Sequence, residues 1–225
     1  MRDTRLEEPL PNGRLAAYIG VIAAVCFAML SLLVIANRTG VIDHELILSL
    51  RAEASPLLTT ILLAVTFTSG KLAIPAAIAF VVALYRRSGA RTTIYYAVAC
   101  VAGQLIDALL KYDVARVRPH GISPHLTAAG GFSYPSADAM LAVLIFGLGT
   151  VMLAWTIRSA RARAAALSLA AIFIVAASVA RVYLGAHWPS DVLGGVLAGI
   201  ACAAFFVNSL RRPPAAPPIL SVREA

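Results

Sequence analysis

The chain has 225 residues, 60% of them hydrophobic and 13% charged, with a mean hydropathy of +0.83. So little polar material cannot cover a water-soluble globule, and the long apolar runs imply an all-α integral membrane bundle. The formal net charge is +8, but the arginines fall in short clusters between apolar runs. That is a topology pattern, not the basic stripe of a nucleic-acid binder.

Residues 1–14, which carry Arg2, Arg5 and Arg14, read as a cytoplasmic N-terminus. The apolar run 15–36 is longer than the about 7–15 residues of a signal-peptide core, so it reads as a retained membrane span. In "VIDHELILSLRAEA" (41–54), Ile42, Leu46 and Leu50 stand four apart. This predicts either a short interfacial helix or a connecting helix packed on the bundle. The segment "PLLTTILLAVTFTS" (56–69) is short of the roughly 20 residues a span requires, so a partly embedded helix is expected. Further spans are expected at 70–87, 92–111, 136–157, 163–183 and 190–209. The expectation is thus a six-helix membrane bundle, one domain over 15–209. The Pro-rich tail within 210–225, "PPAAPPILSVREA", reads as disordered. Cys26, Cys100 and Cys202 each lie within an apolar run and read as small buried hydrophobes, with no disulfide or zinc spacing.

Arginine clusters orient the spans. Arg86, Arg87 and Arg91, then Arg158, Arg161 and Arg163, then Arg211 and Arg212 all fall on the same side as the N-terminus. The positive-inside rule makes that side cytoplasmic, with both termini inside. A multi-pass protein of the bacterial inner membrane is expected. The opposite, non-cytoplasmic face then carries 37–69, 112–135 and 184–189.

That outer face holds charges that are costly near hydrocarbon and therefore candidates for function. "LLKYDVARVRPH" supplies Lys111, Arg116 and Arg118. "FSYPSADAM" places Pro135 and Ser136 at a helix start. "SVARVYLGAHWPSDVLGG" supplies Arg181, His187 and Asp191. Each has a plain structural alternative. Lys111 and Arg118 could snorkel to the membrane edge, and Asp107 could pair with Lys111 four residues on. Ser136 could serve only as an N-cap. His187 and Asp191, four apart, could be a structural pair. Tyr183 and Trp188 need no role beyond that of interface aromatics. Together the patches make a phosphoryl site. Lysine and arginine donors and the backbone amides near Ala137 suit phosphate oxygens. A neutral histidine backed by an aspartate is a nucleophile able to attack phosphorus.

Three motifs make the chain resemble the type 2 phosphatidic acid phosphatases, membrane relatives of the vanadium haloperoxidases. "KYDVARVRP" matches a Lys, six residues, then Arg-Pro, at Lys111, Arg118 and Pro119. "RVYLGAHWPSD" matches an Arg, five residues, His, three residues, Asp, at Arg181, His187 and Asp191, with Gly185 two before the histidine. Pro-Ser-Gly-His is half kept, as Pro135, Ser136, Ala137 and Asp138. The likeness runs from about residue 56 to 205. It implies a phosphohistidine on His187 and orientation of that ring by Asp191. It implies phosphoryl oxygens held by Lys111, Arg118, Arg181, Ser136 and the Ala137 amide. No metal and no cofactor are implied. The substrate would be a lipid phosphate or a polyprenyl diphosphate, with membrane lipids the other partner. Transfer to an acceptor hydroxyl is the variant of hydrolysis, and a non-catalytic lipid-phosphate binding or transport protein the alternative.

The family's second-motif histidine donates a proton to the leaving oxygen, and here that position is Asp138. Three readings stand open. Asp138 is itself the general acid, which predicts an acid-shifted pH–rate profile. Or the acid matters little because a diphosphate expels a good leaving group, with His120 or His125 as alternative proton sources. Or Asp138 neutralises the cationic cradle by pairing with Arg116 or Arg118.

Overall fold

The computed structural model describes residues 13–120 and 130–211. The expectations for residues 1–12, the C-terminal tail from 212 and His125 lie outside the described residues. Among the described residues there are seven helices and no strand. They are α1 (Gly13–Ile35), α2 (Gly40–Ala52), α3 (Pro56–Ser69), α4 (Ala73–Val114), α5 (Ala137–Ala154), α6 (Ala160–Tyr183) and α7 (Pro189–Arg211). Within α5, Ala142–Leu148 is π-helical. Helix starts follow local chemistry. Ser55, Ser136 and Ser159 accept from the amides of Leu58, Ala139 and Ala162 at 3.2, 3.5 and 3.3 Å, each satisfying a donor that the helix itself cannot. Pro56 and Pro189 stand at first helical positions, where a missing N–H is harmless.

Five helices are long and apolar enough to cross a membrane, and the chain is a multi-pass integral membrane protein. The expected runs 70–87 and 92–111 prove to be two arms of one helical segment, α4. The rings of Phe80 and Tyr96 meet at a tilt with centroids 6.0 Å apart, although a straight helix would separate them by about 24 Å. The chain therefore doubles back between them. It does so at Gly89, whose φ of 81° and ψ of 175° belong to a region that only glycine enters cheaply. The six expected spans thus correspond to five long helices, one of them folded into two arms. The segment 56–69 is a 14-residue helix, about 21 Å long and too short to span, as its length foretold.

The core lies where both arms of α4 meet α5 and α7, through Leu84, Tyr96, Ala99, Met140, Leu144, Leu148, Met152, Ala198 and Val207. α1 packs along α7 and turns Tyr18, Ile22 and Leu32 outward, as a lipid-facing helix should. Glycines set the close approach of α7 to α5. A Cβ at Gly195 would lie 2.3 Å from the Ser136 carbonyl oxygen, whereas one at Gly103 would meet the tip of Leu144 at 2.2 Å. A backbone oxygen cannot swing aside but a leucine methyl can. Gly195→Ala should therefore cost about 1–3 kcal/mol and lower the thermal midpoint in detergent clearly more than Gly103→Ala does.

α2 is the expected short helix at 41–54. Ile42 and Leu46, two members of the expected apolar stripe, are exposed, while Asp43 and Ile47 are buried. These two look outward, Leu50 packs beside Ile47, and the helix turns Asp43 inward while Glu45 stays exposed. Hydrophobicity alone could not report this, because in a membrane protein the outer face is the apolar one. Tyr183 also departs from expectation. It is fully buried and its hydroxyl meets Thr59 Oγ1 at 2.7 Å, so it ties α3 to α6 instead of lining an interface.

Because the helices alternate in direction, the C-terminal ends of α4 and α6 meet the N-terminal ends of α5 and α7. The loops holding Lys111 to Arg118, Ser133 to Asp138 and Arg181 to Asp191 therefore share one end of the bundle. Arg86, Arg87 and Arg91 flank the Gly89 turn, and Arg158 and Arg161 flank the α5–α6 connection, at the opposite end.

Candidate active site

α4 ends where Ala115 takes a left-handed conformation (φ 48°), which swings the next residues across the end of the bundle. Lys111, in the last turn, does not snorkel. Its Nζ donates to both Asp107 oxygens at 2.7 and 2.8 Å and to the Pro135 carbonyl at 2.7 Å. The expected i,i+4 pair forms, and it clamps α4 to the start of α5.

His187 sits in the α6–α7 turn, 2% exposed. Its Nδ1 faces the Ser133 carbonyl at 2.9 Å. A carbonyl only accepts, so Nδ1 carries the proton and the Nε2 lone pair is left available. Nε2 accepts from Arg118 Nη1 at 3.0 Å. The other donors of Arg118 reach the carbonyls of Gly130, Gly131, Phe132 and Ala186. The imidazole thus points neither into lipid nor away from the cations.

Asp191 is fully buried. Its Oδ2 lies 3.7 Å from His187 Nδ1, too long for a hydrogen bond. Ser133 bridges them instead, its hydroxyl donating to Asp191 Oδ2 and its carbonyl accepting from the ring. Asp191 also accepts from the Trp188 amide at 2.9 Å, which caps α7. Arg116 Nη1 donates to its Oδ1 at 2.7 Å.

At the head of α5, Ser136 is buried and acts as the N-cap. Ala137 is the first helical residue, so its amide has no partner within the helix. Asp138 pairs with Arg181 Nη2 at 2.9 Å. The pairing expected with Arg116 or Arg118 is therefore wrong in its partner: Arg116 is held by Asp43 and Asp191, and Arg118 by carbonyls and His187. Arg181 is buried, and its Nε has no hydrogen-bond partner among the described residues. His120 is exposed and its Nδ1 sits on the Arg118 carbonyl. Among the described residues no cluster of three or more His, Cys, Asp or Glu has the arrangement of a metal site.

Sequence reasoning missed Asp43, Ser133 and Ser190. Ser133 lies in the stretch that drew attention to Pro135 and Ser136, yet nothing in its spacing marks it. Asp43 carried little signal, because α2 holds two acids, Asp43 and Glu45, and only the fold shows that the first is the buried one.

A sequence model of the PAP2 superfamily matches residues 92–213, over half the chain. The chain belongs to the PAP2 superfamily. Two solved structures share its fold. One is the first transmembrane PAP2 type phosphatidylglycerolphosphate phosphatase from Bacillus subtilis, at TM-score 0.77 and 22% identity, covering 85% of this chain and 95% of that one. Aquifex aeolicus LpxE aligns at TM-score 0.58 and 22% identity, covering 72% of this chain and 92% of its own. No curated protein matches the sequence.

In this PAP2 protein, burial pushes the His187 pKa below the ordinary imidazole value, with Arg118 adding to the fall and Asp191 and Asp138 opposing it. Burial also lowers Arg118, against the pull of Asp191, Asp138 and Asp107. A lowered pKa keeps His187 neutral as the pH falls. If neutral His187 is required, the loss of kcat/KM caused by protonation of that ring should set in only below the ordinary histidine range near ~6.5, separately from any decline at higher pH that ionisation of Asp138 adds. Initial rates in detergent from weakly acid to neutral pH check this.

Proposed function

We propose that the protein removes, or transfers, the phosphoryl group of a lipid phosphate or diphosphate, acting without a metal through a phosphohistidine on His187. The observation that carries this proposal is the Arg118 Nη1 to His187 Nε2 contact of 3.0 Å, which puts a cation and the reactive nitrogen at one point. A phosphoryl group entering there takes Arg118 onto its oxygens and presents phosphorus to the lone pair on Nε2. Nδ1 keeps its proton on the Ser133 carbonyl. Lys111, Arg181, Ser136 and the Ala137 amide are the further phosphoryl ligands, Asp191 supports the imidazolium that forms, and Asp138 donates to the leaving oxygen. Electrostatic stabilisation of the equatorial oxygens supplies the rate. Water, or an acceptor hydroxyl, then cleaves the phosphorus–nitrogen bond. Similarity of fold to the phosphatidylglycerolphosphate phosphatase from Bacillus subtilis supports a lipid phosphate as substrate.

The site faces the non-cytoplasmic side in this proposal, because the arginine clusters occupy the other end of the bundle. Residues 15–209 act as one phosphatase domain of a bacterial inner membrane. A second reading, lipid-phosphate binding without turnover, is favoured by one observation, the Asp138–Arg181 pair, which neutralises a cradle cation.

Purified protein in detergent with a chelator, offered polyprenyl diphosphate and phosphatidic acid in turn, tests the proposal. Release of inorganic phosphate from at least one is expected. Binding of both with release from neither would establish the second reading.

A further inference from the structure

Behind the proposed nucleophile lies a buried ionic relay that the phosphoryl chemistry does not use directly. Asp43, on α2, is 1% exposed. It accepts from Arg116 Nη2 at 2.7 Å, from the Ser190 hydroxyl at 2.7 Å and from the Ser190 amide at 2.8 Å. The other prong of Arg116, Nη1, donates to Asp191 Oδ1 at 2.7 Å and to Ser190 Oγ at 2.6 Å. Nη2 also reaches Thr39 Oγ1 at 3.2 Å, and the guanidinium lies over Trp188, 5.6 Å from the ring centroid. One arginine fork is therefore shared between two buried carboxylates.

We propose that Asp43 and Arg116 are positioning residues of the active site: by sharing the Arg116 fork with Asp191, Asp43 keeps that carboxylate fixed and negatively charged behind His187. This rests on the phosphatase reading above. Two physical effects combine. The fork sets the angle of Asp191, whose other oxygen receives the Ser133 hydroxyl that borders the ring. The shared charge sets its strength. Arg116 with Asp191 alone is neutral, whereas the triplet carries one net negative charge. That charge stabilises the positive charge that grows on the imidazole as it attacks phosphorus. Asp43 lies outside residues 92–213, the segment that the family model covers, so α2 completes a site whose motifs lie elsewhere. Planarity matters too, since a lysine at 116 would offer one nitrogen in place of two splayed ones and would not hold both carboxylates at the angles the fork sets.

The test compares wild type, Asp43→Asn, Arg116→Lys and His187→Ala as full-length protein in detergent, monodispersity and thermal midpoint being recorded for each. Steady-state phosphate release is measured, together with binding of orthovanadate and of inorganic phosphate. Orthovanadate bonds to an oriented imidazole as a transition-state mimic, and phosphate resembles the ground state. In Asp43→Asn, kcat should fall at least about 10-fold with KM within about 3-fold. Orthovanadate affinity should fall at least about 10-fold and phosphate affinity stay within about 3-fold. Arg116→Lys should show the same split, and it carries the comparison should Asp43→Asn fail to fold. Equal weakening of both anions with a lowered midpoint would mean a merely structural role and overturn the inference. Normal turnover in both variants beside a dead His187→Ala would overturn it while leaving the phosphatase reading intact. A wild type that neither releases phosphate nor binds orthovanadate would overturn both.

Discussion

Replacing His187 with alanine should reduce phosphate release by about 10³-fold or more, with folding and detergent behaviour unchanged. A nucleophile removed from a group that acts as a unit takes nearly the whole covalent route with it. The residue is suited to this measurement. It sits in a turn between α6 and α7, and its ring contacts are the Ser133 carbonyl, Arg118 and the nearby Asp191. Loss of the ring leaves the cations in place, so the variant should still bind inorganic phosphate. Rapid quench of the wild type with labelled substrate should trap an acid-labile, base-stable phosphoryl adduct that the variant lacks. Turnover by His187→Ala at the wild-type rate would remove His187 from the mechanism, whatever the family likeness suggests.

Asp138 should be the next largest effect, and it should depend on the leaving group. With phosphatidic acid, which must expel an alkoxide, Asp138→Asn should lower turnover by about 10²-fold, within the usual 10²–10⁴ of general acid catalysis. With a diphosphate, whose leaving phosphate needs little protonation, the loss should be under about 10-fold. Asp138→His should restore phosphatidic acid turnover. The Arg181 pair at 2.9 Å supplies the competing outcome. If Asp138 only neutralises the cradle, Asp138→Asn frees a cation, and both substrates should bind more tightly with no loss of turnover. Comparing kcat and KM on the two substrates separates these outcomes, because one removes a transition-state interaction and the other changes ground-state binding.

The helices were legible because hydrophobic runs of membrane length need little context. Ser136 and Pro189 mark helix starts through backbone chemistry that is local by nature. Gly89 was less legible. A glycine between two arginine-flanked runs marks a boundary, but the reversal there shows only in the structure, in the Gly89 backbone angles and the Phe80–Tyr96 ring contact. The candidate residues were legible wherever spacing carried them. Lys111 with Asp107 and Arg181 with the His187–Asp191 pair lie within a few turns of one another in the chain.

By itself, then, the amino-acid sequence determined an all-helical membrane protein and the four-residue spacing that pairs Lys111 with Asp107, and it named the cations and the histidine as candidates for meeting phosphate. Only the tertiary structure decided how these residues pair across the bundle: Asp138 with Arg181, Arg116 with both Asp43 and Asp191, and Ser133 between Asp191 and His187. The physical reason is that buried charges must find partners or lose their charge. Which partner each finds depends on the helix ends packed beside it, a matter of three-dimensional neighbours that no spacing along the chain records.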